Sequence, residues 1–312
     1  MVGALPVLFC DAKTDWGNYQ LDPLSRETIP MGVRFAKANG ARTLLLFMVA
    51  RWACIPFCLL GAWTCWRWAG ELWGNRAGFA APCLWCFDPM MLGNGALVMP
   101  DVPAAATGVF AAWRFWKWLR APGHLPLPPG EGRGEGTSSS SWSSAAFAGL
   151  ALGLAELCKT TLLVFFVLWP LAWLLYSRHH APRDGTVARG GHWVVGFITR
   201  SVTPTIRRIC PRVGLQLIAV LLLAVYLINL GYAFRGSCQR LGDYRFQSRL
   251  LSGEPPAKTP TVGNRFARTW LARLPVPLPR DYVQGIDRQR ADFEEGMRSY
   301  LHGHWSPRGW WH

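Results

Sequence analysis

Three long apolar runs limit what this chain can become. Residues 44–68 read LLLFMVARWACIPFCLLGAWTCWRW, residues 145–176 read AAFAGLALGLAELCKTTLLVFFVLWPLAWLLY, and residues 214–234 read GLQLIAVLLLAVYLINLGYAF. A bilayer core is crossed by roughly 20 apolar residues in a helix, because no water is present there to satisfy an exposed backbone. Residues 77–97 and 102–119 add two further runs, and tryptophans and arginines gather at the ends of the runs, as interfacial anchors do. Eighteen Trp, 16 Phe and 51% hydrophobic residues against 16% charged ones exclude an ordinary soluble domain. The expected class is an all-α polytopic membrane protein with about five transmembrane helices. A mean hydropathy of only +0.13 requires long polar segments attached to those spans.

The excess of 33 basic over 18 acidic residues suits either nucleic acid or an anionic lipid surface. Arginines crowd the ends of the spans, so membrane lipid is the expected partner and nucleic acid is not. Cys54, Cys58, Cys65, Cys83, Cys86 and Cys158 fall inside apolar runs and read as buried thiols. The CLWC of residues 83–86 has metal or redox spacing but no second ligand pair, so one helical turn is the simpler reading. No metal and no cofactor are expected. The first residues, MVGALPVLFCDAK, lack the basic start and cleavage site of a signal peptide. Residues 1–43 form an extramembrane segment with one short helix near residues 31–38. Residues 121–144 are Pro, Gly and Ser rich and read as a flexible linker, and their GEGRGEG follows no strand and cradles no phosphate.

Charge orients the spans. Residues 177–213 hold seven arginines (Arg178, Arg183, Arg189, Arg200, Arg207, Arg208, Arg212) against Asp184 alone, which places this loop in the cytoplasm. The turn at residues 74–76 and the Arg114, Lys117, Arg120 end of the third run are basic too. Residues 145–176 are either one long helix or two short passes turning at Lys159, and only two passes put all three basic regions on one side. The first pass then has about 14 residues, or ~21 Å, which is short for a bilayer. The span at residues 214–234 exits to the outside, leaving residues 235–312 as an extracytoplasmic loop. Arg51, Asp101 and Lys159 all fall toward the outer face. Ionisable residues at the ends of spans are functional candidates. Snorkelling, or a plain Arg51–Asp101 ion pair, would account for them equally well.

The run FDPMMLGNGALVMPDVPAA followed by AFAGLALGLAELCKTTLLVFF resembles the dolichyl-phosphate-mannose protein mannosyltransferase and aminoarabinose transferase family, membrane glycosyltransferases of the GT-C class. The matching positions are Asp88 and Pro89, Asp101, Gly149, Leu150, Gly153, Leu154, Ala155 and Lys159, with Ala50 and Arg51 opening an earlier span. The tail ending in Gly309, Trp310 and Trp311 is similar to the outer loop of bacterial members. The resemblance implies a GT-C-like fold with extracytoplasmic loops, in a bacterial inner membrane. It also implies sugar transfer from a polyprenyl-phosphate-linked donor. Such chemistry needs a base for the acceptor hydroxyl and cations for the departing phosphate. Arg51 and Lys159 then hold the donor phosphate, and Asp101 orients the acceptor or positions Arg51 as the catalytic carboxylate. Trp305, Trp310, Trp311 and Tyr300 stack on sugar or acceptor, although interfacial anchoring explains the same aromatics.

The family's principal acidic residues lie in a loop before the Ala-Leu-Pro of residues 4–6, and its next span lies beyond residue 312. The chain is therefore expected to be a fragment of a glycosyltransferase. A non-catalytic membrane protein that binds lipid-linked sugar or scaffolds unknown partners is the second expectation. A transporter is the third, unsupported by paired broken helices.

Overall fold

The computed structural model describes residues 2–15, 17, 28–95, 97–121, 137–179, 211–253, 262–296 and 299–306. The described chain is mostly helical. Four stretches among these residues are long and apolar enough to cross a membrane: Pro30–Trp73, Ser141–Cys158, Thr160–Ser177 and Arg212–Gly231. The protein thus has the character of an all-α membrane protein. The chain divides into two compact units, Cys54–Leu227 and a second made of Met1–Ala53 with Ile228–His312.

The boundary between the units falls where the sequence suggested one continuous first span. Helices α3 (Thr43–Trp52) and α4 (Ile55–Trp73) replace it. Pro56 has no N–H to offer the preceding turn, and its ring clashes with the carbonyl four residues back. The helix therefore stops at Ala53 and restarts under Cys54, whose carbonyl accepts from Phe57 and Cys58.

In the unit Cys54–Leu227, α4 turns at Gly74 (φ 84°) into α5 (Asn75–Phe87). Small residues let the two helices touch: a Cβ on Gly78 would lie 3.2 Å from the Gly70 Cα, and one on Gly61 only 2.0 Å from the Trp85 ring. The expected second span, residues 77–97, stops early. Asp88 adopts an extended conformation, its carboxylate accepts from Met91 N at 2.9 Å, and a short α6 (Pro89–Gly95) follows. Helix α7 (Asp101–Leu119) then runs parallel to α4, with Trp63 against Trp113 (5.3 Å), Trp68 against Trp116 (6.2 Å) and Glu71 beside Lys117 (2.9 Å).

Helix α8 (Thr137–Cys158) begins inside the stretch read as linker and lies antiparallel to α7, burying Ala145, Ala148, Ala151, Leu152 and Ala155. Its other side meets α10 (Pro211–Gly231) through Gly149 and Gly153. A Cβ on Gly149 would sit 2.8 Å from the Val220 carbonyl oxygen, and one on Gly153 2.8 Å from the Leu227 Cβ. Glycines four residues apart allow helices to approach to backbone distance, where dispersion holds them without any help from water. Gln216 ties the three helices together at one end: its Oε1 accepts from Trp118 Nε1 at 3.1 Å, and its Nε2 donates to Ser141 Oγ at 3.0 Å.

After Cys158 the chain reverses. Lys159 is extended (φ −157°, ψ 128°), Thr160–Val164 form a 3₁₀ turn, and α9 (Phe165–His179) returns along α7. Leu162 and Phe165 reach Gly108, Trp169 stacks on Phe115 at 4.3 Å, and Trp173 lies against Gly214. Residues 145–176 are thus two helices of opposite direction.

The second unit joins the N-terminal helices to a C-terminal segment with a small aromatic core. Helix α1 (Leu5–Leu8), helix α2 (Thr28–Asn39) and α3 form its N-terminal part. Beyond residue 228, Tyr244 stacks on Phe246 at 5.7 Å and Tyr232 meets Tyr282 edge-on at 5.8 Å. The backbone amides that open α11 (Arg249–Ser252) are satisfied from α12 (Arg280–Glu295). The buried Asp287 accepts from Gln247 N and Ser248 N, and Glu294 accepts from Arg249 N. The strands β1 (Ser299–Leu301) and β2 (His304–Ser306) form a hairpin whose His302 and Gly303 both have positive φ, the geometry of a tight two-residue turn.

Candidate functional site

The site starts from two local breaks in helical structure. Pro100 caps α7 and Pro103 lies in its first turn, where a missing N–H costs nothing because that donor has no partner inside the helix. Asp101 therefore opens the helix, with its carboxylate near the positive end of the helix dipole. At the far end of α8, Lys159 keeps the last helical bond (its N–H to the Ala155 carbonyl, 3.2 Å), then leaves the helix, and its carbonyl accepts from Leu162 N. Because α7 and α8 are antiparallel, the start of one meets the end of the other.

The result is an ion pair between Lys159 Nζ and Asp101 Oδ1 at 2.5 Å, with side chains 32% and 42% exposed. Within this unit the partner of Asp101 is Lys159. The pair remains accessible. An ammonium carries three donors, and Asp101 Oδ1 occupies one.

Glu156 is a residue that the sequence reading missed. It sits three positions before Lys159 in α8 and is 1% exposed. Its signal was available: Glu156 is the single acid, and Lys159 the single base, in residues 145–176. A carboxylate kept inside an apolar helix is costly to hold and therefore a functional candidate. Thr107, also buried, turns its hydroxyl back to the Pro103 carbonyl at 2.7 Å and satisfies itself within α7.

Arg51 is exposed in the last turn of α3 and belongs to the other unit. Tyr300 lies opposite Trp305 across the β-hairpin, rings 5.2 Å apart and both largely exposed, so these two aromatics contact each other. Trp310 and Trp311 lie outside the described residues. An open apolar groove of about 450 Å³ lies between α8 and α10, lined by Trp142, Ala145, Ala146 and, across it, Ala219, Leu222, Leu223 and Tyr226. On α8 it stops at Ala146, about 20 Å of helix short of Lys159.

No known protein family, no characterised relative and no solved structure matches this chain.

Proposed function

We propose that the chain acts at the membrane as a glycosyltransferase, moving a sugar from a polyprenyl-phosphate donor to an acceptor on the extracytoplasmic face. The observation that carries this reading is the Lys159–Asp101 pair, reachable from solvent, at the end of the helices away from the basic residues. In this reading Lys159 presents its remaining donors to the donor phosphate, a charge-assisted contact that strengthens as the leaving phosphate gains charge. Asp101 holds the ammonium in place through Oδ1, and its second oxygen accepts from the acceptor hydroxyl. Glu156, buried three residues before Lys159, adds a second carboxylate to this end of α8. The resemblance over residues 87–105 and 146–166 supports the same assignment, as do the apolar helices that would hold a polyprenyl chain.

The test uses the purified full chain in detergent with a polyprenyl-phosphate sugar. Wild-type protein should bind the donor, and Lys159→Met should weaken binding by about 1.5 to 3 kcal/mol, the range for a hydrogen bond to a charged group. Donor binding without sugar transfer to any hydroxyl acceptor would favour a binding protein over an enzyme. A wild-type chain that ignores the donor would refute both.

A further inference from the structure

The opposite end of the same helices carries a second charged feature. There α4, α5 and α7 present Arg67, Arg76, Arg114, Lys117 and Arg120 against a single acid, Glu71. Glu71 is already engaged: one oxygen accepts from Lys117 Nζ at 2.9 Å and the other from Trp113 Nε1 at 3.1 Å. Cations are left in excess.

These cations are held on aromatic rings. Arg67 lies over Trp66 at 5.7 Å, Arg114 over Phe147 at 4.8 Å, and Arg120 over Trp116 at 5.0 Å. Ring faces attract the charge but accept no strong hydrogen bond, so the N–H groups remain unspent. Two buried donors at this end, Arg114 Nε and Trp68 Nε1, have no acceptor. Between α4 and the start of α5 lies a depression of about 210 Å³ lined by Trp66, Arg67, Gly70, Glu71, Asn75 and Gly78. Gly70 and Gly78, which pack against each other, form part of its lining.

We propose that this depression and its arginine rim bind the headgroup phosphate of an anionic phospholipid. The chemistry selects an anion with several acceptor oxygens, because donors outnumber acceptors and cations outnumber acids. Location selects a lipid. The rim sits on the ends of apolar helices, beside the exposed Trp66, Trp73 and Phe79, where headgroups meet acyl chains. Arg67 contributes most, since it lines the depression and forms no ion pair among the described residues, whereas Lys117 is occupied by Glu71.

The experiment is native mass spectrometry of the full chain in mild detergent, titrated with phosphatidylglycerol or phosphatidylcholine of identical acyl chains. Phosphatidylglycerol should be retained in preference by about fivefold or more, the effect of one well-placed basic residue, and the preference should shrink as salt rises. Arg67→Gln should remove most of that preference, while Arg265→Gln, in the other unit, should leave it intact. Glycerol phosphate at millimolar concentration should not displace the lipid; displacement would make the ligand a soluble phosphate and overturn the lipid assignment. Equal retention of the two lipids by the wild-type chain would overturn the proposal without any variant. So would a folded Arg67→Gln protein with unchanged preference.

Discussion

Lys159 Nζ lies 2.5 Å from Asp101 Oδ1 although 58 residues separate them. The contact requires α7 and α8 to be antiparallel and the chain to leave its helix at Lys159. It therefore reports both the topology and the candidate chemistry, and the two roles separate by experiment.

An exposed ion pair contributes little to stability, typically below about 1 kcal/mol. Asp101→Asn and Lys159→Met should accordingly fold, with melting temperatures in detergent within a few degrees of wild type. The charge-swapped double variant, Asp101→Lys with Lys159→Asp, should restore any stability lost, because the pair is re-formed. It should not restore donor binding, because the cation has moved to the other helix. Recovery of binding in the swap would assign the pair a purely structural role.

Much of this was legible in the sequence because it is one-dimensional. The turn at Gly74 follows from local composition, as does the basic character of the end carrying Arg114, Lys117 and Arg120, and the reversal at Lys159 was one of two readings, preferred because it places the basic regions on one side. What the sequence hid was pairing. Nothing local says that Asp101 meets Lys159, since that depends on which helices lie side by side. The role of Pro56 was visible yet masked by the apolar residues around it, which argued for one span where the backbone makes two helices. Glu156 passed unnoticed for a similar reason: one acid among apolar residues hardly changes a hydropathy average, although its cost lies in burial and not in composition. Gly149 and Gly153, read as family signature, have a packing role that only the approach of α10 reveals.

That packing role leads to the second prediction. A Cβ on Gly149 would lie 2.8 Å from a backbone oxygen and 3.1 Å from the Leu223 Cβ, so α10 must move outward to admit even alanine. Overpacking of this kind costs about 1 to 3 kcal/mol. Gly149→Ala should lower the unfolding temperature in detergent, and Gly149→Leu should lower it further. Gly93, whose Cβ would meet nothing within 4 Å, should tolerate alanine. Equal stability of Gly149→Leu and wild type would mean that α8 and α10 do not touch at this point.

The segment beyond residue 231 offers a test by pH. The Tyr244 hydroxyl is buried without a hydrogen-bond partner, and burial raises its pKa above the usual 10.0, with Arg280 opposing and Cys238 adding to the shift. A phenol that is harder to ionise when folded stabilises the fold fully below pH ~10, and that contribution is lost as pH climbs through the raised value. Thermal melts should therefore fall above pH ~10. Tyr244→Phe should flatten part of that fall and, by removing an unsatisfied hydroxyl, should leave stability at pH 7 unchanged or raised by up to ~1 kcal/mol. A variant destabilised at pH 7 would show that the hydroxyl has a partner in solution.

Orientation in the membrane is the remaining question that a single measurement decides. Helices α4, α5, α7, α8 and α9 alternate so that Asp101 and Lys159 share one end, while Asn75 and Arg120 share the other. The arginines of residues 177–213 follow α9 and so leave from the Asn75 end, which the positive-inside rule assigns to the cytoplasm. Cysteines at Met99 and Asn75, both exposed and within one unit, are suitable probes in a background stripped of the nine native cysteines. Ser248 is unsuitable, being fully buried with its hydroxyl on Asp287. An impermeant maleimide applied to intact cells should label Met99→Cys and spare Asn75→Cys until the membrane is opened. The reverse pattern would turn the Lys159–Asp101 pair toward the cytoplasm and remove it from extracytoplasmic sugar transfer. Labelling of both positions in intact cells would mean that these helices do not span the bilayer.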